Sequence, residues 1–251
     1  MTEKEMYNLI NNQNGQQGTG FAYNERERGL SGAFSALMRK VYVWMTLALV
    51  ITGVAAYGVA SSPTLLAAIY TNSALMWGLI IAEVALVFII SGAINRLSLS
   101  TATLIFIAYS ILNGVTLSSI FIIYQPVVIT KVFLITAGTF GAMAFYGYTT
   151  KKDLTSLGKI LFMALIGLVI ATVVNMFLKS PGFDYILSYI GVAIFTGLTA
   201  WDTQKIKQML QTQYDMSEGA QKIALLGALT LYLDFINLFL YLLRIFGNNK
   251  D

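Results

Sequence analysis

The sequence predicts an all-α membrane protein with seven transmembrane helices, of which the last occupies a central position. Hydrophobic residues make up 57% of the 251 residues and charged residues only 11%, whereas a soluble domain carries about 25% charged residues. Seven apolar segments, each close to the roughly 20 residues that cross a bilayer core as a helix, follow a polar N-terminus. Transmembrane strands would be about ten residues long and would alternate in polarity, and these segments do not.

The chain divides into a polar tail, residues 1–30, and a transmembrane domain, residues 31–251. The tail is rich in Asn, Gln and Gly, a composition that predicts a disordered or frayed segment. The first apolar run begins too late and continues too long for a secretory signal peptide. The seven apolar segments lie at 41–60, 75–95, 103–123, 127–148, 159–178, 184–202 and 223–246.

The positions of Lys and Arg predict the orientation of the chain. With the N-terminus inside, 12 of the 16 basic residues face the cytoplasm and 4 face outside, which favours an inside N-terminus and an outside C-terminus in a cytoplasmic (inner) membrane. Pro63, Pro126 and Pro181 all fall in the predicted outer turns, where no helix has to continue. These basic residues flank apolar segments, so they predict topology and not nucleic-acid binding.

The chain has no Cys and no His. Disulfides, thiol catalysis and thiolate metal sites are therefore excluded, and so are the usual near-neutral titrating side chain and most zinc sites. Acid–base chemistry must fall mainly to carboxylates. No cofactor and no enzymatic activity are predicted.

Two aspartates, Asp202 and Asp234, lie within the last two apolar segments. A carboxylate in hydrocarbon costs several kcal/mol unless it is paired, hydrated or protonated, so an intramembrane acid is a functional-site hypothesis. Two such carboxyl groups within hydrogen-bonding distance would share one proton. That bridge would hold the sixth and seventh helices together and close a path, and loss of the proton would leave an anionic site that suits calcium, a cation that prefers oxygen ligands.

The depths of the two aspartates do not match in the predicted segments. If the seventh helix enters near residue 223, Asp234 is about 16 Å deep at 1.5 Å per residue, while Asp202 stands at the end of the sixth segment. Contact then requires a late start of the sixth helix or a water-filled cytoplasmic crevice. The alternatives are that Asp202 caps or hydrates a helix end and that Asp234 has a passive structural role.

The seventh segment is apolar on all sides around Asp234, which predicts a central or lipid-exposed helix. Its polar residues Asp234, Asn237, Tyr241 and Arg244 fall on one stripe about 80° wide, and burying that stripe favours the central position. Further charges predict two clusters. Arg96 joins the two aspartates on the cytoplasmic side, and Glu83 forms a structural ion pair with Arg244 toward the outside.

Two motifs resemble those of a known family. FTGLTAWDTQKIKQM resembles the signature of the Bax-inhibitor (TMBIM) family, in which an aromatic residue precedes Asp-Thr-Gln at the end of the sixth helix. LTLYLDFINLFLYLLRIFG resembles the seventh helix of that family. The resemblance covers about residues 30–247, and Trp201 stands where Tyr is commoner.

The resemblance implies a fold in which the other six helices surround the last one. It also implies a pH-sensitive aspartate pair that regulates a calcium leak and, in bacterial members, an association with a membrane protease. Transferred by motif, Asp202 and Asp234 are the sensor pair, Arg96 is the alternative partner of Asp202, and Glu83 and Arg244 are the outer ion pair. Protons, calcium ions, membrane lipid and a membrane protease are the implied partners.

Two other functions compete with the leak. An intramembrane aspartyl protease also places one aspartate on each of two neighbouring helices, but such enzymes show Tyr-Asp, Gly-x-Gly-Asp and Pro-Ala-Leu motifs. Here the second aspartate follows Leu231, Tyr232 and Leu233, and no Pro-Ala-Leu occurs. A non-conducting regulator that binds another membrane protein stays open and is compatible with the leak.

Overall fold

The computed structural model describes residues 3–247, and it describes side chains from residue 32 onward. Its described residues form helices and connecting turns and contain no strand. The helices are α1 (Glu3–Ala60), α2 (Pro63–Tyr70), α3 (Ser73–Ala93), α4 (Leu99–Leu117), α5 (Ile120–Ile123), α6 (Pro126–Thr149), α7 (Thr155–Leu178), α8 (Pro181–Gln211) and α9 (Glu218–Phe246).

Seven helical segments are long and apolar enough to cross a membrane, which confirms the predicted all-α architecture. The first of them is the later part of α1, and the third runs through α4 and α5. They span Gly32–Ala60, Ser73–Ala93, Leu99–Ile123, Pro126–Thr149, Thr155–Leu178, Pro181–Gln211 and Glu218–Phe246.

The helix starts follow local capping chemistry. Pro63, Pro126 and Pro181 each stand in the first turn of a helix, where a missing N–H costs nothing because that group has no intrahelical acceptor. Ser62 and Ser180 precede two of these prolines, and their hydroxyls accept a backbone N–H of the first turn, as N-caps do. Turn residues therefore set where these helices begin.

Helix α9 is the centre of the bundle, as predicted. In its most apolar stretch 67% of the residues are buried, against 6% in α3 and in α7. It packs directly along α1, α4, α6 and α8, whereas α3 packs mainly on α4 and α7 packs on α8. Four helices thus enclose α9, and the remaining two lie outside that ring.

The helices alternate in direction, so the bundle has two ends. The basic end holds the turns near 94–98, 150–154 and 212–217 and carries Arg39, Arg96, Lys152, Lys207 and Lys222. The proline end carries Pro63, Pro126 and Pro181. That the basic end faces the cytoplasm stays a prediction from the distribution of Lys and Arg.

Two predicted boundaries are wrong in a way that matters for function. Helix α8 continues nine residues past Asp202 to Gln211, about 14 Å further at 1.5 Å per residue, and α9 begins at Glu218 rather than near 223. Asp202 is therefore an interior residue of α8 and not a helix-end cap. Measured from these helix ends, Asp202 lies about 14 Å into α8 and Asp234 about 24 Å into α9, so the difference in depth decreases from about 16 Å to about 10 Å.

The backbone of α1 begins at Glu3, within the predicted polar tail. The side chains of the tail lie outside the described part of the structure. The proposed division at residue 30 into a tail and a transmembrane domain stays a prediction.

Candidate functional site

Two glycines allow neighbouring helices to approach α8 just before Asp202. A Cβ on Gly147 of α6 would lie 2.1 Å from the carbonyl oxygen of Ala200. A Cβ on Gly158 of α7 would lie 2.1 Å from the ring of Trp201. Small residues permit such close helix contacts in membranes, and here they fix the position of α8 on two sides.

The side chain of Gln204 fixes the same stretch of α8 to the turn between α6 and α7. Its Oε1 accepts the backbone N–H of Leu154 at 2.8 Å, and its Nε2 donates to the carbonyl oxygen of Lys152 at 2.8 Å. Gln204 is itself buried. The Asp-Thr-Gln motif thus supplies both Asp202 and the Gln204 amide, which fixes α8 to the turn between α6 and α7.

Asp202 and Asp234 meet between α8 and α9, where their carboxyl groups lie close enough to hydrogen-bond to each other. Asp202 is 8% exposed and Asp234 is 5% exposed. Two ionised carboxylates cannot form this bond, because each oxygen would only accept, so the contact requires one shared proton.

The described residues around Asp234 leave one of its carboxyl oxygens without a hydrogen-bond donor. No N–H or O–H group of the described residues donates to Asp234 Oδ2. Buried polar atoms are normally hydrogen-bonded, and exceptions concentrate where water, an ion or a reaction is accommodated.

The predicted contact between Arg96 and Asp202 is not formed in this structure. Arg96 is exposed in the turn after α3, and no ion pair joins it to Asp202 among the described residues. The cation that acts electrostatically on Asp202 is Lys205, three residues further along α8. Its ammonium lies 5.0 Å from the centre of the Trp201 ring. The spacing i to i+3 is the signal by which Lys205 could have been identified.

The predicted ion pair between Glu83 and Arg244 is wrong. Arg244 Nη1 instead lies 3.1 Å from Asp184 Oδ1, and the Asn175 amide donates to the same oxygen at 3.4 Å. Asp184 stands in the first turn of α8, at the proline end where α9 terminates. Glu83 lies on α3, which packs on α4 and not along α9, so depth alone did not identify the partner of Arg244.

Glu83 belongs to a separate polar network around α4. It accepts hydrogen bonds from the Asn113 amide at 3.1 Å and from the Thr116 hydroxyl. The Tyr232 hydroxyl of α9 donates to Asn113 Oδ1 at 2.9 Å and lies 2.7 Å from the Thr52 hydroxyl of α1. Four helices are linked in this way, and of the side chains that link them sequence analysis singled out only Glu83 as a candidate site residue.

The remaining polar residues of the α9 stripe have local contacts. The Asn237 amide donates to the Leu233 carbonyl of its own helix at 2.8 Å. The Tyr241 ring stacks on Phe195 with 5.9 Å between ring centres, and a Cβ on Gly191 would clash with it. The stripe is therefore divided between the acid pair and the ion pair and is not one continuous polar path.

The carboxylates near the basic end supply little for a tightly held metal ion. The described residues contain no group of three or more His, Cys, Asp or Glu side chains that could hold one. Calcium takes six to eight oxygen ligands, and the Asp202–Asp234 pair offers two carboxyl groups.

Comparison with known proteins gives the family. The family model described as "Inhibitor of apoptosis-promoting Bax1" matches residues 35–251. The match covers all seven membrane segments except the first three residues of the earliest, and it includes both aspartates.

Individual relatives come from several bacteria. An inner membrane protein of Escherichia coli K12, YbhL, is 52% identical over 215 residues, which is 85% of this chain and 92% of the relative. A protein of Borreliella burgdorferi is 48% identical over 214 residues, with the same shares of the two chains. A membrane protein of Streptococcus pyogenes serotype M3 is 37% identical over 227 residues, or 90% of this chain and 97% of the relative.

Proposed function

This chain belongs to the Bax-inhibitor family of membrane proteins, and we propose that it is a pH-sensitive leak for calcium and other cations, gated by Asp202 and Asp234. The observation that carries the proposal is the close approach of these two buried carboxyl groups. A hydrogen bond between them would join α8 to the central helix α9, and it would exist only while one of the two is protonated.

Gating follows from the chemistry of the shared proton. While the proton is present, the bridge holds α8 against α9 and the pair carries a single negative charge. When the proton leaves, two carboxylates face each other in a low-dielectric interior and repel strongly. The helices then separate at this level, water enters, and the two carboxylates attract a cation for which oxygen ligands are preferred.

Cations on α8 and the neighbouring turn complete the proposed mechanism. Lys205 already acts electrostatically on Asp202, and Arg96 is the alternative partner of Asp202 once the proton has left. Either positive charge would stabilise the ionised form of Asp202 and delay re-formation of the bridge. Asp234 would then stand alone at the centre of the bundle.

Calcium flux into liposomes tests the proposal. We expect flux through the wild-type protein to change severalfold between about pH 6 and about pH 8, because proton loss breaks the bridge. Asp234→Asn and Asp202→Asn should remove that dependence, since an amide can donate to the remaining carboxylate without a titrating proton. Asp215→Asn, at an exposed carboxylate in the turn before α9, is the matched control and should behave as wild type.

Helical content and a monodisperse elution profile establish that each variant is folded before flux is measured. A wild-type protein and an Asp234→Asn variant with the same flux at every pH would refute gating by the pair. If flux is lost only in Arg96→Gln, gating depends on Arg96 and not on the acid pair.

A non-conducting regulator of a membrane protease or another membrane protein is the alternative. Under it, purified protein conducts no calcium at any pH, and the acid pair controls the affinity for the partner. Co-purification from native membranes at two pH values distinguishes the two functions. We assign no enzymatic activity, since the matching family model and relatives indicate no catalytic family.

The same proposal locates the protein in the cytoplasmic membrane with the N-terminus inside and the C-terminus outside. It is supported by the excess of Lys and Arg at the basic end and by the printed name of the Escherichia coli relative. A C-terminal alkaline phosphatase fusion, which is active only outside the cytoplasm, should be active. An inactive phosphatase fusion, together with a fluorescent C-terminal fluorescent-protein fusion, would show that the orientation is the opposite one.

A further inference from the structure

A large groove lies between α1 and α6, apart from the acid pair. Its volume is about 680 Å³, and its wall is almost entirely apolar, with Met45, Leu49, Phe133, Phe140 and Phe235 among its lining residues. Helices α1 and α6 both pack on α9 but share no extended interface with each other. The groove is therefore a gap between two outer helices, with the central helix as its floor.

The groove is open toward the membrane along its length. Phe145 at its rim is 68% exposed and Phe133 is 42% exposed. A smaller cavity of about 100 Å³ shares Leu49, Phe133 and Phe235 with it and continues toward the proline end. Along α1 the groove extends from Ser35 to Leu49, about 21 Å at 1.5 Å per residue, which exceeds half of a bilayer core about 30 Å thick.

One end of the groove is positively charged. Arg39 is exposed and lines the groove at the basic end, beside Tyr148. The Lys207 ammonium donates to the Tyr148 carbonyl at 2.7 Å and lies 5.1 Å from the centre of its ring. No carboxylate lines the groove, and neither cation is in an ion pair among the described residues.

The charged residues around this end of the groove are mostly positive. Nine Lys and Arg residues stand at the basic end in the described part of the chain, against the three carboxylates Asp153, Asp215 and Glu218. An apolar channel one leaflet deep with two cations at its mouth is complementary to a molecule with a hydrocarbon chain and an anionic head. Basic pockets between membrane helices are a known mode of anionic lipid recognition.

We propose that the α1–α6 groove binds one anionic phospholipid, with an acyl chain along the apolar wall and the phosphate between Arg39 and Lys207. The floor residue Phe235 follows Asp234 directly, so the bound lipid would lie against the helix that carries the acid pair.

The proposal is tested by native mass spectrometry of the full-length protein. The purified protein is reloaded with phosphatidylglycerol or with phosphatidylethanolamine of identical acyl chains. We expect one retained lipid per protein and a preference for phosphatidylglycerol. Arg39→Gln should lower that preference about fivefold, the effect of one basic residue near an anionic headgroup. Lys159→Gln, at an exposed lysine of the same end on α7, removes one charge away from the groove and should leave the preference unchanged.

A second variant tests the apolar wall. Gly141 lines the groove, and a Cβ there meets no atom within 4 Å, so Gly141→Leu fills the groove without disturbing the packing. It should lower the retention of both lipids. Gly167→Leu is the matched control, because Gly167 is equally open and exposed but lies on α7.

Three outcomes would overturn the proposal. Equal retention in Gly141→Leu and Gly167→Leu would show that the lipid binds elsewhere. Equal retention of the two lipids by the wild-type protein would remove the role of the cations. A dimer that Gly141→Leu dissociates would assign the groove to a second copy of this chain.

Discussion

Helices α8 and α9 are joined at two levels by opposite chemistry. In the interior, the Asp202 and Asp234 carboxyls lie close enough to hydrogen-bond to each other and are 8% and 5% exposed. At the proline end, Asp184 and Arg244 form an ion pair whose side chains are 39% and 38% exposed. The first contact needs a proton and the second needs only the charges that both groups carry at neutral pH.

The difference shows how one helix pair can be loosened at one end. Under the proposed gating, an increase in pH would remove the proton from the interior contact, whereas the Asp184–Arg244 pair contains no shared proton. Asn175 also supports the ion pair through its amide. Helix α8 can therefore move near Asp202 while its first turn stays attached to the end of α9.

The largest effect is expected from Gly147→Ala, which breaks the interior contact by displacing α8. The added Cβ would lie 2.1 Å from the Ala200 carbonyl oxygen, and overpacking of this kind costs about 1–3 kcal/mol. Thermal unfolding in detergent measures the loss. Gly141→Ala, in open space on the same helix, is the control, and an equal loss in both variants would show that α8 is not held at Gly147.

A smaller effect is expected from Asp234→Asn on the pH dependence of stability. In the wild-type protein the bridge keeps a proton that separated carboxyls release, so stability should decrease as the pH rises. Hydrogen bonds between membrane helices average about 0.6 kcal/mol and reach about 1.7 kcal/mol, which bounds the change. The variant should unfold at the same temperature across this range, and a slope equal to wild type would contradict the shared proton.

Asp184→Asn should have a smaller and different effect. A half-exposed ion pair contributes about 0–1 kcal/mol, and salt screens it. The loss of stability should shrink in high salt, because the pair is held by opposite charges and not by a shared proton. Unfolding curves at two salt concentrations provide the test, and a loss that does not depend on salt would contradict the ion pair.

The smallest effect concerns exposed turns, and it has the opposite sign to the acid pair. The backbone N–H of Ser217 donates to the Asp215 carboxylate and lowers its pKa. The Ser217 hydroxyl lowers the same pKa to a smaller extent. A lowered pKa stabilises the folded state above the unfolded pKa of about 3.9, and the contribution is lost as the pH falls through the folded value. Asp215→Asn should therefore lower stability slightly at neutral pH, and the difference from wild type should disappear in acid; a difference that persists unchanged in acid would contradict this assignment.

Part of the site could be predicted because the cost of burying charge is visible in the sequence. Asp202 and Asp234 interrupt apolar segments, and an acid in such a segment has few tolerable environments. The partner of Arg244 could not be predicted in the same way. Glu83 and Asp184 are both acids at plausible depths, and only the packing of α3 on α4 separates Glu83 from α9.

The contacts of Gln204 and the α1–α6 groove are features that a local sequence pattern cannot predict. Gln204 follows the aspartate motif, yet its partners are the backbone groups of Lys152 and Leu154, about 50 residues earlier. The groove exists because two helices fail to pack against each other. The distant hydrogen-bond partners of Gln204 and the gap between α1 and α6 leave no trace in the hydrophobicity or periodicity of the sequence.

The sequence by itself determined the seven membrane helices, their prolines at one end, the central last helix and the two acids within the bundle. Each of these depends on the transfer of residues from water into hydrocarbon, a property of local composition. The tertiary structure alone decided that α8 continues beyond Asp202, that the two carboxyls meet, that Arg244 binds Asp184 and that a groove opens beside α9. These depend on helix rotation and close approach, which are set by contacts between segments far apart in the chain.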